Sequence, residues 1–185
     1  MKPASAPQDP GVRGLRAWSL AVRLLCGIGA ALLLVGPWSV AFDALPHQLS
    51  TQGAGGTFSW QIEAAAQRQR AFVVSLLPAL AGMYALMRLW QLFTRYARGE
   101  VFSAATARLF AHFAYGLLAF CLVTVLGRAL MSVALSWDNP PGQRTLIVGL
   151  GSDDFVLLLF GVVLVAIAEV MRRHAQLAED NAGFV

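Results

Sequence analysis

The side chains that most often carry chemistry are few here and widely spaced. Cys26, His112 and Cys121 are the metal-ligating types that fall inside apolar stretches. A metal site needs three or four such groups converging, and no CxxC, HxxxH or HExxH run occurs. The two cysteines read as free thiols packed as small hydrophobes, since a disulfide framework needs more of them in an oxidising aqueous setting. Asp153 and Asp154 adjoin and could hold a cation. They also fall where a helix begins after Ser152, and a first-turn carboxylate interacts well with the positive end of the helix dipole, which is the reading preferred here. No nucleophile, base and orienting group stand together. The chain therefore reads as a non-enzyme, with no catalytic residue, no cofactor and no metal.

Charges inside apolar runs are the remaining candidates. Arg23, Arg88 and Arg128 interrupt such runs, and Glu169 is the only carboxylate well inside one. Charge at membrane depth is costly and often functional, but each arginine lies toward an end of its run and can snorkel to the headgroups. Glu169 cannot reach as far. Its depth, two residues before Met171, matches that of Arg88, two residues before Trp90. A guanidinium neutralises a carboxylate with paired hydrogen bonds, so Arg88–Glu169 is the expected structural ion pair, with Arg23 as the alternative partner. Arg172 and Arg173 compete for Glu169 from three and four residues along the same helix.

These residues need elements to hold them, and composition says which. The chain is 57% hydrophobic and only 13% charged over 185 residues, with mean hydropathy +0.61. Soluble domains carry about 25% charged residues, so lipid is the expected solvent. The expected fold is an all-α integral membrane protein, a bundle of four transmembrane helices spanning about 17–40, 71–93, 109–135 and 155–171. Residues 1–14, rich in Pro, Ala and Gly, read as a disordered tail, and 15–185 as one membrane domain. Trp18 to Trp38 is twenty steps, about 30 Å at 1.5 Å per residue, the thickness of a hydrocarbon core. A cleaved leader ending at Ser39-Val40-Ala41 is the rival reading of the first run; it would be long, and Arg23 would break it. Between the first two spans, residues 43–70 read as a polar loop, flexible at Thr51–Thr57, with a short helix over Ser59–Arg70. Pro78 should kink the second span. Gly99 can end that helix, and Ser103 can cap the third. The fourth is expected to continue as a cytoplasmic helix through Asp180.

Basic residues set the orientation. Lys2, Arg13, Arg16, Arg95, Arg98, Arg108, Arg172 and Arg173 fall on one side, against Arg68, Arg70 and Arg144 on the other. That bias predicts both termini in the cytoplasm. Trp18 and Trp90 at one boundary, and Trp38 and Trp137 at the other, fit an aromatic belt. The formal charge of +4 and pI near 9.7 follow from this bias, so no nucleic-acid partner is implied. Lipid is the expected partner.

The run Arg98-Gly-Glu-Val-Phe-Ser103 before a membrane helix resembles the bacterial family catalogued as domain of unknown function 2975. So does the tail Leu177-Ala-Glu-Asp-Asn-Ala-Gly-Phe-Val185 after the last span. The ending Phe-Val departs from the Thr-Val or Ile-Val common in that family. The resemblance implies a multi-pass protein of the bacterial inner membrane, with no established activity. Some members neighbour genes for small helix-turn-helix regulators, which points toward regulation. The resulting expectation is an accessory or regulatory protein acting through a cytoplasmic protein partner. The alternative is a small transporter or channel, which would place polar residues or broken helices at mid-span; Pro78 is the one break.

Overall fold

The computed structural model describes the backbone of residues 10–42, 48–53, 56–61, 65–100, 103–140 and 142–182. Its elements are α1 (Pro10–Ala41), β1 (Gln48–Gly53), β2 (Gly56–Gln61), α2 (Ala65–Tyr96), α3 (Ala104–Ser136) and α4 (Ser152–Ala182). Four segments are long and apolar enough to cross a membrane: Ala17–Ala41, Ala65–Tyr96, Ala104–Ser136 and Ser152–Arg173. Four such helices mark a multi-pass membrane protein.

Three local expectations need correction. Residues 10–14 of the expected disordered tail are the first turn and a half of α1; residues 1–9 lie outside the described set. The stretch read as flexible loop and short helix is a β-hairpin, with Leu49 opposite Trp60, Thr51 opposite Phe58, and Gly53 opposite Gly56. The helix that follows begins only at Ala65. In contrast, α4 runs without a break past Met171 to Ala182, about three turns beyond the lipid-spanning part.

The turn from α2 to α3 is built as its residues dictate. Gly99 takes the left-handed conformation with φ +85°, which glycine adopts without the Cβ clash that other residues suffer. The Ser103 side chain accepts from the Thr106 N–H, and the Thr106 hydroxyl in turn accepts from the Ser103 N–H, a closed capping box.

Each helix packs on its chain neighbour: α1 on α2, α2 on α3, and α3 on α4. Small residues allow close approach. A Cβ added to Gly82 of α2 would meet Leu33 of α1 at 2.7 Å and Phe120 of α3 at 3.1 Å, so three helices converge there. Gly116 sits against Ala85, and Gly161 against Leu118. In α1, Cys26 is buried and Gly29 faces Leu86, so small residues of the run Cys26-Gly27-Ile28-Gly29-Ala30-Ala31 serve packing within the molecule. Among the described residues, however, α1 and α4 make no packed interface. Among these residues the four helices therefore form an open trough, each packed on its neighbour in sequence.

α2 and α3, at 32 and 33 residues, are about 48–50 Å long and exceed a ~30 Å core by several turns. At the hairpin end the first turns of α2 meet the end of α3. There Arg70 pairs with Asp138, and the Gln67 amide donates to the Leu135 carbonyl. The extended connector after Gly142 is pinned to the last turns of α3. The Ser132 hydroxyl accepts from the Ile147 N–H at 2.9 Å, and the Ser136 hydroxyl accepts from the Thr145 N–H at 3.2 Å. Ser132→Ala is expected to cost about 1–2 kcal/mol by leaving that amide unpaired. Its first sign should be faster amide exchange over residues 143–151, and exchange unchanged from wild type would refute the assignment.

Candidate functional site

Among the described residues α2 and α4 make no packed interface, and Arg88 and Glu169, the expected pair, each find other partners. Glu169 instead binds its own helix: Arg172 donates through Nε at 3.0 Å and through a terminal nitrogen at 2.8 Å, and Arg173 donates at 3.0 Å. These are the competitors at three and four residues' spacing. Arg88 donates to the Gln91 side chain at 3.1 Å and stacks 4.9 Å from the Tyr84 ring. Arg23, the alternative partner, lies 5.4 Å from the Trp90 ring. Ring faces attract guanidinium ions where lipid excludes water. Melting curves of Arg88→Ala, Glu169→Ala and their double variant should accordingly be additive; measurable coupling would restore the pair.

The metal-type residues do not converge. The His112 ring is exposed, with Nδ1 donating to the Arg108 carbonyl at 2.7 Å. Cys26 and Cys121 are buried free thiols. Among the described residues no group of three or more His, Cys, Asp or Glu side chains could hold a metal.

What the structure does bring together is Arg128 of α3 and Asp154 of α4, an interhelical ion pair. Asp154 is 8% exposed and also accepts from the Gly151 N–H at 2.7 Å. The two charges stand at one depth. Arg108 to Arg128 is twenty residues of α3, and Arg172 to Asp154 is eighteen of α4, about 30 and 27 Å at helical rise. The basic turn side and this pair thus bracket one hydrocarbon thickness. Sequence reasoning read Asp154 as a helix-start carboxylate and Arg128 as a snorkelling cation, each alone. The signal available was their matching distance from the basic ends of the two spans.

Arg128 also borders a half-open cavity of about 390 Å³ between α1, α2 and α3. The cavity exists because the facing positions are small or are prolines: Gly36 and Pro37 from α1, Ser75, Pro78 and Ala79 from α2, and Gly127 from α3. Leu32, Leu33, Val74, Phe120 and Met131 supply apolar walls. Its two hydroxyls are already engaged, Ser75 donating to the Phe72 carbonyl and Thr124 to the Phe120 carbonyl. The Nε of Arg128 is buried without a hydrogen-bond partner.

No curated protein and no solved structure matches the chain. The profile of a family described as a protein of unknown function, DUF2975, matches residues 56–183, more than two-thirds of the sequence. The matched region takes in β2 and all of α2, α3 and α4 to its last turn, and with them the basic turn and both members of the interhelical ion pair. On that coverage, this four-helix membrane chain belongs to the DUF2975 family.

Proposed function

We propose that the protein is an accessory or regulatory component of the bacterial inner membrane, with both termini in the cytoplasm and its partner a soluble protein on that side. The observation that carries this reading is the division of labour between the two ends. On the turn side stand Arg95, Arg98, Arg108, Arg172 and Arg173, and α4 continues from Arg173 to Ala182 beyond its apolar span. Basic residues flanking spans mark the cytoplasmic side, and anionic headgroups attract them by about 1 kcal/mol each. The Glu169–Arg172–Arg173 cluster stiffens the point where the helix leaves the lipid. Glu179 and Asp180 are repelled by the same headgroups, which frees the end of the helix for a partner.

Affinity purification of the full chain in mild detergent tests the reading, with a soluble protein at stoichiometric yield as the expected result. A periplasm-only reporter fused after Val185 should be silent; activity there would reverse the orientation. The second reading, a small transporter, draws on the cavity. Against it, the cavity's lining lies in the half of the spans nearest the hairpin, and a transport path must reach both sides. Substrate-dependent flux in liposomes, with no partner recovered, would favour transport.

A further inference from the structure

We propose that the cavity is a binding site for one membrane phospholipid from the hairpin-side leaflet, with an acyl chain lying in the cavity and the phosphate against the Arg128 guanidinium. The reading concerns the face opposite the proposed partner surface and does not rest on it.

Depth comes first. Arg128 stands about one hydrocarbon thickness from Arg108 along α3, which puts its guanidinium at headgroup level. From there the cavity reaches inward to Leu32 and Leu33 of α1 and Phe120 of α3, and about one turn toward the hairpin side to Val74 and Met131. A chain hanging from a headgroup at Arg128 would therefore lie along the walls as it lies in the bilayer.

Access comes second. Among the described residues α1 and α4 form the two edges of the trough and do not pack on one another. The cavity is walled by α1, α2 and α3, while Arg128 on the same side of α3 reaches across to Asp154 of α4. The missing fourth wall faces the bilayer, where the abundant small amphiphile is phospholipid. A volume near 390 Å³ falls within the ~300–1,000 Å³ range of ligand pockets, which are typically apolar with a few placed polar groups.

Chemistry comes third. One terminal nitrogen of Arg128 is committed to Asp154, but its Nε is buried and unpartnered. A buried donor without an acceptor is costly, and guanidinium groups bind phosphate well. Because Asp154 cancels the arginine's charge, the site selects a phosphodiester as an acceptor and not net negative charge. Phosphatidylglycerol and phosphatidylethanolamine should both bind, and diacylglycerol, with no phosphate, should bind poorly.

Native mass spectrometry of the full chain in mild detergent tests this, with dioleoyl phosphatidylglycerol, diacylglycerol of the same chains and inorganic phosphate as probes. One phosphatidylglycerol per chain should survive activation that strips other lipid. Diacylglycerol should be retained on the order of tenfold less, and inorganic phosphate not at all. Gly36→Leu fills the cavity at a position where an added Cβ meets nothing within 4 Å. It should lower phospholipid retention on the order of tenfold with the melting temperature unchanged. Equal retention of diacylglycerol overturns the phosphate contact, and wild-type retention by Gly36→Leu overturns the chain's place in the cavity. Binding of inorganic phosphate as tight as that of lipid makes the site a free-anion site. Should Gly36→Leu fail to fold, the comparison of the three probes on the wild-type chain decides alone.

Discussion

Arg128→Ala should lower the stability of the solubilised protein by about 3 kcal/mol or more, the largest loss expected from any single substitution in it. The reason is the carboxylate left behind. Asp154 is nearly buried, and the Gly151 N–H alone cannot replace a guanidinium. Removing both charges is a different experiment. In Arg128→Met with Asp154→Asn, the amide oxygen still accepts from Gly151, and the methionine fills the space of the arginine stem. Buried ion pairs replaced by neutral groups of similar volume often lose little, so the double variant should recover most of the stability. Unfolding in mixed detergent micelles, run on both single variants and the double, gives the coupling directly. Coupling near zero would mean that the two side chains do not act as a pair.

Gly116→Leu should also be strongly damaging, at about 1–3 kcal/mol. The position is buried, and an added Cβ would stand 3.0 Å from the Tyr84 ring and 3.3 Å from both Cα and Cβ of Ala85. A ring can turn aside, whereas the Ala85 backbone cannot move without shifting α2. Membrane helices associate largely through such close contacts, since lipid supplies no hydrophobic drive between them. Gly27→Leu is the matched control. Nothing lies within 4 Å of its added Cβ, so this change should be neutral or slightly stabilising through helix propensity. Equal loss at both positions would argue against tight α2–α3 packing.

What could be read from the residues alone divides along physical lines. The spans were legible because twenty apolar residues leave few alternatives in lipid. The Gly99 and Ser103 signals were legible because capping and left-handed turns are settled by neighbouring residues. The hairpin was missed although its signal was present: Thr57, Phe58 and Trp60 favour strands, and a glycine-flanked pair of residues joins two such runs. Small residues there were read as flexibility instead. The partner of Arg128 was a harder matter. Matching depth makes a contact available but does not say which helices are neighbours. The same argument pointed to Arg88–Glu169, but among the described residues α4 packs on α3, and Glu169 binds the arginines one turn along its own helix.

Nearest-neighbour packing also governs how the chain can be assembled. As helices leave the ribosome in order, each finds its docking surface already in place: α2 meets α1 through Gly29 and Gly82, α3 meets α2 at Ala85, and α4 meets α3 at Leu118 and Arg128. No helix must wait for a later one to complete its interface, and contacts close in sequence tend to form fast. Arg128 is the exception, since its counter-charge is synthesised 26 residues after it. Until α4 follows, that arginine stands at the membrane boundary without its acid, and a pause in synthesis just after Ser136 would prolong that state.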